Sequence, residues 1–461
     1  MADPSLLWLR RDLRLDDHAA LVAAVGEGPV IPVYVLDDET PRHRRMGEAS
    51  RWWLHHSLAR VDAALRARGS RLILRRGRSD IVLTELARES GAKRVHTMRH
   101  GEPWWRNAER AVAARLELCR HDGNYLASFG SIRSGAGTPY RIFTPFWRTL
   151  SDCLAPAMPL SCPARIAGPE TWPRSDRLET WNLLPVAPDW ATGFAAAWEP
   201  GEETARQLLG RFADHVGEYG EWRDFPAQDA VSRLSPHLHF GEISPARVRK
   251  YLEEAGEAAG PFLRQLGWRD YAQNLVLQLP DYGAQPGNAA FADFPWREGE
   301  AADADFRAWT RGHTGYPIVD AGMRALWATG WMHNRVRMIV ASFLVKHLLI
   351  DWRRGEQWFW DTLVDADYAN NSVNWQWVAG TGVDPNPFGR IMAPIVQSEK
   401  FAAEAYIRRW VPELAHLKDR AIHDPDTAGC RPADYPPKII GHKEGRNRAL
   451  ETFAAWRAEH R

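Results

Sequence analysis

The sequence predicts an N-terminal α/β domain with a doubly wound parallel sheet and a C-terminal domain built entirely of helices. Three observations support this division: short apolar runs alternate with helical patterns over residues 1–130, a stretch rich in Pro, Gly and Ser covers 131–200, and helical patterns dominate 201–461. Strands that alternate with amphipathic helices form parallel sheets. A chain of 461 residues has room for two or three domains and a large internal pocket.

The N-terminal part contains four apolar runs with the length of buried strands. They are SLLWL, VIPVYVL, RLILR and RVHTM, and the helical segment SRWWLHHSLARVDAALRARG separates the second run from the third. Neither G-x-G-x-x-G after the first strand nor G-x-x-x-x-G-K-[ST] occurs. The two common phosphate-binding loops of such sheets are therefore excluded, and we expect no ordinary dinucleotide or nucleoside triphosphate site.

The middle stretch predicts a long connector, and the remainder predicts a helical domain. SGAGTPY, PAMPLSCPARIAGPETWPRSD and NLLPVAPDW are typical of a loop that winds over a surface. Ser244 followed by Pro245 has the pattern of a helix N-cap and a first helical residue. The run HKEGRNRALETFAAWRAEHR predicts a final amphipathic helix. The predicted helices stop at three prolines, Pro226, Pro280 and Pro295.

Composition excludes several classes of protein. The net charge is +1, so bulk charge does not indicate a nucleic-acid binder, and any DNA contact needs a local patch. No apolar stretch approaches about 18 residues and no signal peptide is recognisable, so we expect a cytoplasmic protein without a membrane partner. The four cysteines form no C-x-x-C pair and match no common zinc spacing. Free thiols and no bound metal are expected, and a scattered four-cysteine iron–sulfur site is the weaker alternative.

Tryptophan is concentrated in the helical half. Ten of the 23 Trp lie between Trp296 and Trp410, and they alternate with Asn, Arg and Asp in WATGWMHNRVRM, DWRRG and DADYANNSVNWQW. A buried indole N–H needs a partner, so Trp is a poor choice for filling a core alone. The pattern predicts a site for a flat or redox-active cofactor, and the alternative is a heavily aromatic core.

A candidate anion site precedes one of the predicted helices. In VSRLSP, residues 231–236, hydroxyls and free backbone N–H groups at a helix N-terminus favour phosphate, although a plain helix cap has the same sequence. Arg337 and Asp365, followed by Asp367 and Asn371, add groups suited to the pyrimidine edge and N5 of a flavin ring. We expect one helical turn of carboxylate and amide to supply that edge.

Several of these motifs resemble the DNA photolyase/cryptochrome family. They are SRLSPHLHFGEISP, TGYPIVDAGMRALWATGWMHNRVRM, ASFLVKHLLIDWR and DADYANNSVNWQW, together with the opening WLRRDLRLDDHAAL, the strand PVYVLD and IRRWVPEL near Trp410. The resemblance covers nearly the full chain. It is strongest to class I cyclobutane pyrimidine dimer photolyases.

The resemblance implies a light-dependent DNA-repair enzyme. The α/β part would be the antenna domain, and the helical part would bind FAD in a U shape and hold a flipped pyrimidine dimer above the flavin. Excited reduced FAD would donate an electron to the dimer, which splits into two pyrimidines. Flipping suits a lesion, because a damaged step costs less to unstack than a normal pair. We expect UV-damaged DNA as partner and a monomer; the alternatives are a (6-4) photolyase or a cryptochrome-type blue-light photoreceptor.

The resemblance also assigns roles to individual residues. It places cofactor contacts at Tyr219, Val231, Ser232, Arg233, Leu234, Ser235, Phe262, Arg269, Arg337, Asp365, Ala366, Asp367 and Asn371. It places substrate and DNA contacts at Arg223, Gln265, Trp268, Asn334, Arg335, Trp377, Arg390 and Gln397. The photoreduction chain would be Trp375, Trp352 and Trp296. An insertion, GEAADAD, follows Trp296, so Trp296 belongs to this chain only if it keeps the position that it has in the family.

Four positions are the predicted catalytic residues, Gln265, Asn334, Met338 and Asn371. Gln265 stands where the cyclobutane enzymes usually have Glu and is typical of the (6-4) enzymes; it forms hydrogen bonds but cannot deliver a proton. Asn334 and Met338 stand where the (6-4) enzymes have two His, which favours the cyclobutane dimer because neither replacement shuttles a proton. Asn371 is typical of photolyases, while Val231 replaces the usual Thr of the phosphate cap.

The sequence leaves the antenna chromophore open and bears on the choice between an enzyme and a signalling module. HGEPWWRNAERA departs from the usual Asn-Glu folate contact, so the antenna chromophore could be a folate, a deazaflavin, a flavin or none. Cryptochromes often carry a long C-terminal extension, and the sequence after Trp410 contains only the predicted final helix. The second observation favours an enzyme over a signalling module.

Overall fold

The N-terminal part is a five-stranded parallel sheet. In the computed structural model, which describes residues 3–155, 158–383 and 388–460, the strands are β1 (Ser5–Leu9), β2 (Val30–Leu36), β3 (Ile73–Arg76), β4 (Arg94–Met98) and β5 (Glu117–His121). The strand order is β3-β2-β1-β4-β5, and every neighbouring pair is parallel. The chain winds outward from β1 in one direction and then in the other, so the predicted doubly wound α/β class is confirmed.

Helices cover both faces of this sheet. They are α1 (Ala19–Glu27), α2 (Glu48–Arg66), α3 (Ser79–Ser90) and α4 (Pro103–Ala113). Leu7 and Leu9 of β1 share an apolar cluster with α1 and α2, whereas Leu6 and Trp8 share another with α3 and α4. Successive side chains of a strand point to opposite faces, so β1 and β2 are buried along their whole length. This is why both strands are continuous apolar runs in the sequence.

The fifth strand, ELCRH, was missed by the prediction of four. β5 lies at the edge of the sheet, pairs with β4 alone, and its residues are half-buried or exposed. An edge strand tolerates charged side chains such as Glu117 and Arg120, so it lacks the apolar run that marks the buried strands.

The connector is partly helical, and the prediction of a surface loop is wrong for these parts. Its described residues contain two α-helices, α5 (Phe143–Cys153) and α6 (Thr192–Ala197), and a 3-10 turn, Leu178–Trp181. Phe146 and Phe194 are buried and anchor these helices. The rings of Phe143 and Phe146 lie 5.6 and 5.5 Å from that of Tyr271 in the helical half. The domain boundaries at residues 130 and 200 stay predictions.

The remainder of the chain is helical, as predicted. Its helices are α7 (Glu202–Ala213), α8 (Tyr219–Trp222), α9 (Ser235–His239), α10 (Pro245–Leu252), α11 (Gly260–Gln278), α12 (Glu300–Arg311), α13 (Pro317–Thr329), α14 (Asn334–Ser342), α15 (Trp352–Thr362), α16 (Tyr368–Ala379), α17 (Pro394–Lys400), α18 (Glu404–Trp410), α19 (Asp419–Ile422) and α20 (His442–Glu459). α10 begins as predicted, since Ser244 Oγ accepts the Arg247 backbone N–H at 2.9 Å and Pro245 is the first helical residue. Among the described helices, none has the length and apolarity needed to cross a membrane.

The last helix, α20, packs against a π-helical turn, Phe343–His347, that follows α14. His347 Nε2 and His442 Nδ1 lie 2.7 Å apart in a hydrogen bond. Gly445 allows this approach, because a Cβ atom there would lie 3.0 Å from the Cα atom of His347. Burial lowers the pKa of His347 to about 3, since removing an imidazolium from water costs free energy. His347 is therefore neutral in the folded protein at physiological pH.

We expect the free energy of unfolding to fall as the pH is lowered from the ordinary histidine pKa of about 6.5 towards the folded pKa of about 3. In this window the unfolded chain binds a proton that folded His347 does not, and one such group changes stability by at most about 1.4 kcal/mol per pH unit. Urea unfolding at a series of pH values measures the slope. His347→Gln should flatten it, whereas His416→Gln, at an exposed position, should not; equal slopes for wild type and His347→Gln would contradict a buried neutral imidazole.

Candidate active site

Helices α9, α11, α14 and α16 are joined in the helical half and carry most of the predicted site residues. α16 begins where it does because Asp367 caps it, accepting a backbone N–H of the first turn at 2.8 Å, and it ends at Gly380 with a φ of 77°. α14 follows His333, whose Nδ1 accepts the Arg335 backbone N–H at 3.2 Å. Local caps thus set the positions from which the site side chains project.

Arg337 and Asp365 form an ion pair, as the sequence motif suggested. Arg337 Nη2 lies 2.9 Å from Asp365 Oδ2, and its Nε donates to the Met332 carbonyl at 2.8 Å. The Asp365 side chain is 4% exposed, and its second oxygen, Oδ1, is buried with no hydrogen-bond partner in the described part of the chain. A buried acceptor without a donor is costly. The residues present therefore fit a cofactor that offers an N–H or O–H group to Asp365, as a flavin nucleotide does.

The segment 231–235 forms a strained turn beside this pair. Arg233 has a φ of 52°, in the left-handed region, and its guanidinium lies 5.5 Å from the Trp331 ring centroid. Ser232 Oγ accepts the Leu234 N–H at 3.3 Å, and Ser235 Oγ accepts the Trp331 indole N–H at 3.3 Å. No side chain caps the five-residue helix α9. The plain helix cap, which the sequence left as an alternative, is therefore wrong for Ser235.

Arg269 links α11 to the end of the α/β half and to α9. Its Nη2 donates to the Leu238 carbonyl at 3.1 Å, its Nη1 donates to the Asn124 carbonyl, and its guanidinium lies 4.1 Å from the Tyr125 ring centroid. Burial raises the pKa of Asp367, and the positive charge of Arg269 opposes this rise. Arg269 thus stabilises a carboxylate at the N-terminus of α16.

The expected single helical turn of carboxylate and amide is wrong. Asp365 precedes the helix, Asp367 is its cap, and only Asn371 lies within α16. The two aspartates therefore project from the segment before α16, and the amide projects from its second turn.

Asn371 is held by a neighbouring helix. Its Nδ2 donates to the Glu356 backbone carbonyl at 2.9 Å and to Glu356 Oε1 at 3.0 Å. Glu356 is in turn bound by Arg44 of the α/β half at 2.7 Å. Neither Glu356 nor Arg44 was singled out from the sequence, although a Glu within the aromatic helix segment WRRGEQWFW was a usable signal of a buried polar contact.

The other predicted cofactor contacts are apolar or aromatic. Tyr219 and Phe262 have ring centroids 5.3 Å apart in an edge-to-face arrangement. Leu234 and Ala366 are buried, and Val231 is half-buried. In the described part of the chain, the side chains of these five residues form no hydrogen bond.

Trp268 is rigidly supported by an aromatic residue that the sequence did not indicate. Its ring stacks on Phe143 of α5 with centroids 3.5 Å apart and planes 8° from parallel, and it meets Tyr271 edge to face at 5.5 Å. Gly267 is required beside it, because a Cβ atom there would lie 2.3 Å from Trp147 Cε3. One face of Trp268 is therefore covered by Phe143, while the residue as a whole stays half-buried.

The remaining predicted substrate contacts differ in how freely they can reach a ligand. Asn334 and Arg390 are exposed, and the Arg390 guanidinium lies 5.5 Å from the Trp377 ring centroid. Arg335 is bound to Asp224 and lies 4.6 Å from the Phe401 ring centroid. The half-buried residues of the group are Arg223, Gln265, Met338, Trp377 and Gln397.

The three predicted photoreduction tryptophans lie at different depths. Trp375 and Trp352 are buried, and Trp375 packs across Gly355, where a Cβ atom would lie 2.2 Å from the indole. The ring of Trp375 also lies 6.3 Å from that of Trp309, which the sequence prediction did not include. Trp296 is half-buried.

A cavity of about 560 Å³ opens between the α/β and helical halves. Trp104 and Tyr368 line it with ring centroids 5.0 Å apart, and its charged residues are Arg42, Arg44, Arg78, Glu39 and Asp281. The aromatic side chains suit a planar molecule. Among the residues the structure describes, no cluster of His, Cys, Asp or Glu could hold a metal ion, and all four cysteines are free thiols.

Comparison with known proteins connects this architecture to a family. The chain matches the family described as DNA photolyase over residues 5–164 and the FAD binding domain of DNA photolyase over residues 262–455. It is 46% identical over 480 residues to a deoxyribodipyrimidine photo-lyase of Agrobacterium fabrum, covering 98% of each chain. It is 35% identical over 496 residues to cryptochrome-1 of Arabidopsis thaliana, covering 99% of this chain and 71% of that one. The crystal structure of a bacterial class III photolyase from Agrobacterium tumefaciens is similar, with a TM-score of 0.93 and 44% identity over 99% of this chain and 98% of that one.

Proposed function

The chain belongs to the DNA photolyase/cryptochrome family and is a light-dependent DNA-repair enzyme that uses FAD, and we propose that its substrate is the cyclobutane pyrimidine dimer. The substrate proposal rests on the residues that α11 brings together. This helix bears Gln265 and Trp268 beside a residue that contacts the cofactor region, Arg269, so a lesion stacked on Trp268 would lie next to the flavin.

We assign FAD to the polar cluster around Arg337 and Asp365. Asp365 Oδ1 would accept a hydrogen bond from the flavin edge, Arg337 would bind the other oxygen of Asp365, and the Ser232–Ser235 turn would bind phosphate. When bound and reduced, FAD supplies the electron that light delivers to the lesion. The protein orients both partners and excludes water. We assign the supply of electrons to the flavin to Trp375, Trp352 and Trp296.

We assign the lesion to the space between Trp268 and Trp377. Stacking of a base on an aromatic ring contributes about 1–3 kcal/mol, and Trp268 is pre-organised for it because Phe143 already holds its other face. Asn334 and Gln265 would donate hydrogen bonds to pyrimidine carbonyls. Arg390, Arg223 and Gln397 would contact the DNA backbone.

The imidazole beside Asn334 favours a cyclobutane dimer over a (6-4) lesion. His333 is buried, its Nδ1 accepts a backbone N–H, and burial lowers its pKa to about 4. A neutral imidazole held in this way is not a proton donor at neutral pH, and Asn334 and Met338 provide none. His333, Asn334 and Met338 therefore provide no donor for the proton transfer that repair of a (6-4) lesion would need.

Two finer assignments rest on different support. The sequence resemblance favours class I, whereas the similar solved structure from Agrobacterium tumefaciens is named a class III photolyase; we propose class III on the basis of that likeness over the full chain. A signalling cryptochrome is the second candidate, because cryptochrome-1 of Arabidopsis thaliana is also similar. The expectations of a monomer and of a cytoplasmic location stay predictions.

We propose that the cavity between the two halves holds the antenna chromophore. Trp104 and Tyr368 would contact a planar ring system, and the exposed Arg42 would bind a negatively charged group on it. A folate, a deazaflavin and a flavin all satisfy this description, so the absorption spectrum of the chromophore released from purified protein decides among them.

Illumination of the purified, reduced protein with an oligonucleotide containing one cyclobutane dimer tests the proposed activity. Restoration of two thymines under blue light, none in the dark, and no change in an oligonucleotide containing a (6-4) lesion are the expected results. Light-dependent repair of the (6-4) lesion alone would overturn the substrate proposal. Repair of neither lesion by protein that retains FAD would favour the signalling candidate.

Gln265→Glu should raise the initial rate of dimer repair. Gln265 Nε2 now donates to the Pro261 carbonyl at 3.3 Å, and a glutamate cannot form that bond, so its carboxyl group is released towards the lesion and can donate a proton when protonated. The expected gain is about two- to tenfold, the effect of one hydrogen bond of about 0.5–1.5 kcal/mol. Repair under equal illumination and equal flavin content measures it, with the surface substitution Gln207→Glu as control. An unchanged rate would show that glutamine is already as effective as glutamate.

A further inference from the structure

A chain of buried polar groups connects the α/β half to Asn371. Arg44 Nη1 donates to Glu356 Oε1 and Oε2 at 2.8 and 2.7 Å, and the Glu356 side chain is fully buried. Arg44 also donates to the Gly283 carbonyl, and its guanidinium lies 5.4 Å from the Tyr368 ring centroid. Arg44 belongs to a short 3-10 turn, Arg42–Arg44, that follows β2. A residue of the α/β half thus neutralises a carboxylate inside the helical half.

Two acceptors of Glu356, its backbone carbonyl and its carboxylate, set the orientation of the Asn371 amide. A backbone carbonyl can only accept a hydrogen bond, and so can an ionised carboxylate. Because Asn371 faces the Glu356 carbonyl at 2.9 Å and Oε1 at 3.0 Å, its nitrogen must point to Glu356 and both of its N–H groups are used. Its oxygen, Oδ1, lies on the other side of the amide and has no hydrogen bond among the described residues.

We propose that Arg44 is a positioning residue for the flavin, because it keeps Glu356 ionised and thereby holds Asn371 with Oδ1 turned away from Glu356, as an acceptor for a flavin N–H. The proposal rests on the proposed function in one respect, the assignment of Asn371 to the N5 position of FAD. A reduced flavin carries a proton on N5 and an oxidised flavin does not. An acceptor at this position stabilises the reduced form and raises the reduction potential.

Loss of Arg44 should weaken this preference for one amide orientation. Burial alone raises the pKa of Glu356, and the charge of Arg44 is the largest influence that lowers it. Without Arg44, a buried carboxyl group takes up a proton rather than remain charged in a low-dielectric interior. Its O–H then becomes a donor to the Asn371 oxygen, so only the Glu356 backbone carbonyl still favours the present orientation of the amide, and the turned orientation becomes populated. The amide nitrogen would then face the flavin, which disfavours a protonated N5.

Redox titration of the FAD bound to Arg44→Met tests this proposal. We expect the equilibrium constant for two-electron reduction to fall about tenfold relative to wild type, a shift of about 30 mV to more negative potential. Glu356→Gln should shift the potential in the same direction. The double variant should shift it no further than either single change, because both act on one network. Arg45→Met, at the exposed neighbouring position, should match the wild type.

Each outcome bears on the proposal. A wild-type potential in Arg44→Met with FAD retained would overturn it, and so would shifts that add fully in the double variant. If Arg44→Met does not fold, Arg44→Lys keeps the positive charge and should match the wild type, and a wild-type potential in Glu356→Gln with FAD retained would then overturn the proposal. Failure of the proposed function is distinct, because wild-type protein would then bind no FAD or repair no dimer, whatever the residue at position 44.

Discussion

Asp365→Asn is expected to give a folded protein that loses FAD during purification. The Asp365 side chain is 4% exposed and pairs with Arg337 at 2.9 Å. Its other oxygen, Oδ1, is buried and accepts no hydrogen bond from the described residues. The side chain of asparagine has one oxygen and one NH2 group. The NH2 group would face either Arg337 or the donor group of the cofactor, so one hydrogen bond to a charged group, worth about 1.5–3 kcal/mol, is lost. The affinity for FAD should fall about 10- to 150-fold.

The fold should survive because Arg337 is 23% exposed in its side chain and its unpaired charge can still reach water. The ratio of flavin to protein absorbance, and titration of the apoprotein with FAD, measure the loss. Asp361→Asn is the matched control, since Asp361 is an exposed aspartate at the end of the preceding helix, α15. Wild-type FAD content in Asp365→Asn would show that the cofactor does not contact this carboxylate.

Trp268→Ala is expected to weaken binding of dimer-containing DNA while FAD is retained. The indole stacks on Phe143 with ring centroids 3.5 Å apart, so we expect a base to stack on its opposite face. Removal of one base–aromatic stack costs about 1–3 kcal/mol, which corresponds to about a 5- to 150-fold increase in Kd. The Kd values of a dimer-containing duplex and an undamaged duplex measure the change. Both are determined at one salt concentration, because contacts to the DNA backbone depend on salt.

Two further variants separate stacking from general destabilisation. Trp268→Phe keeps an aromatic face and should recover most of the affinity. Trp327→Ala removes an indole that is 53% exposed and stacks on Trp358 away from α11, and it should bind the dimer as the wild type does. Equal affinity of Trp268→Ala and wild type for damaged DNA would place the lesion elsewhere.

Local pattern was sufficient for the elements that are buried or capped by their own neighbours. The runs SLLWL, VIPVYVL and RVHTM coincide with β1, β2 and β4, and Ser244–Pro245 begins α10. Elements that lack such a signal were missed. β5 is a charged edge strand, and α5 lies in a Pro- and Gly-rich region, where its aromatic residues pack on Tyr271 and Trp268 from a distant helix.

The sequence by itself determined the doubly wound α/β class, the helical second half and, through the family's motifs, the predicted set of cofactor and lesion residues. Only the tertiary structure decided which groups those residues contact. Arg44 and Glu356, or Phe143 and Trp268, are far apart along the chain and meet only after folding. The physical reason is that periodicity and caps depend on neighbouring residues. Buried charge pairs and ring stacks depend on the packing of whole helices, which no local pattern encodes.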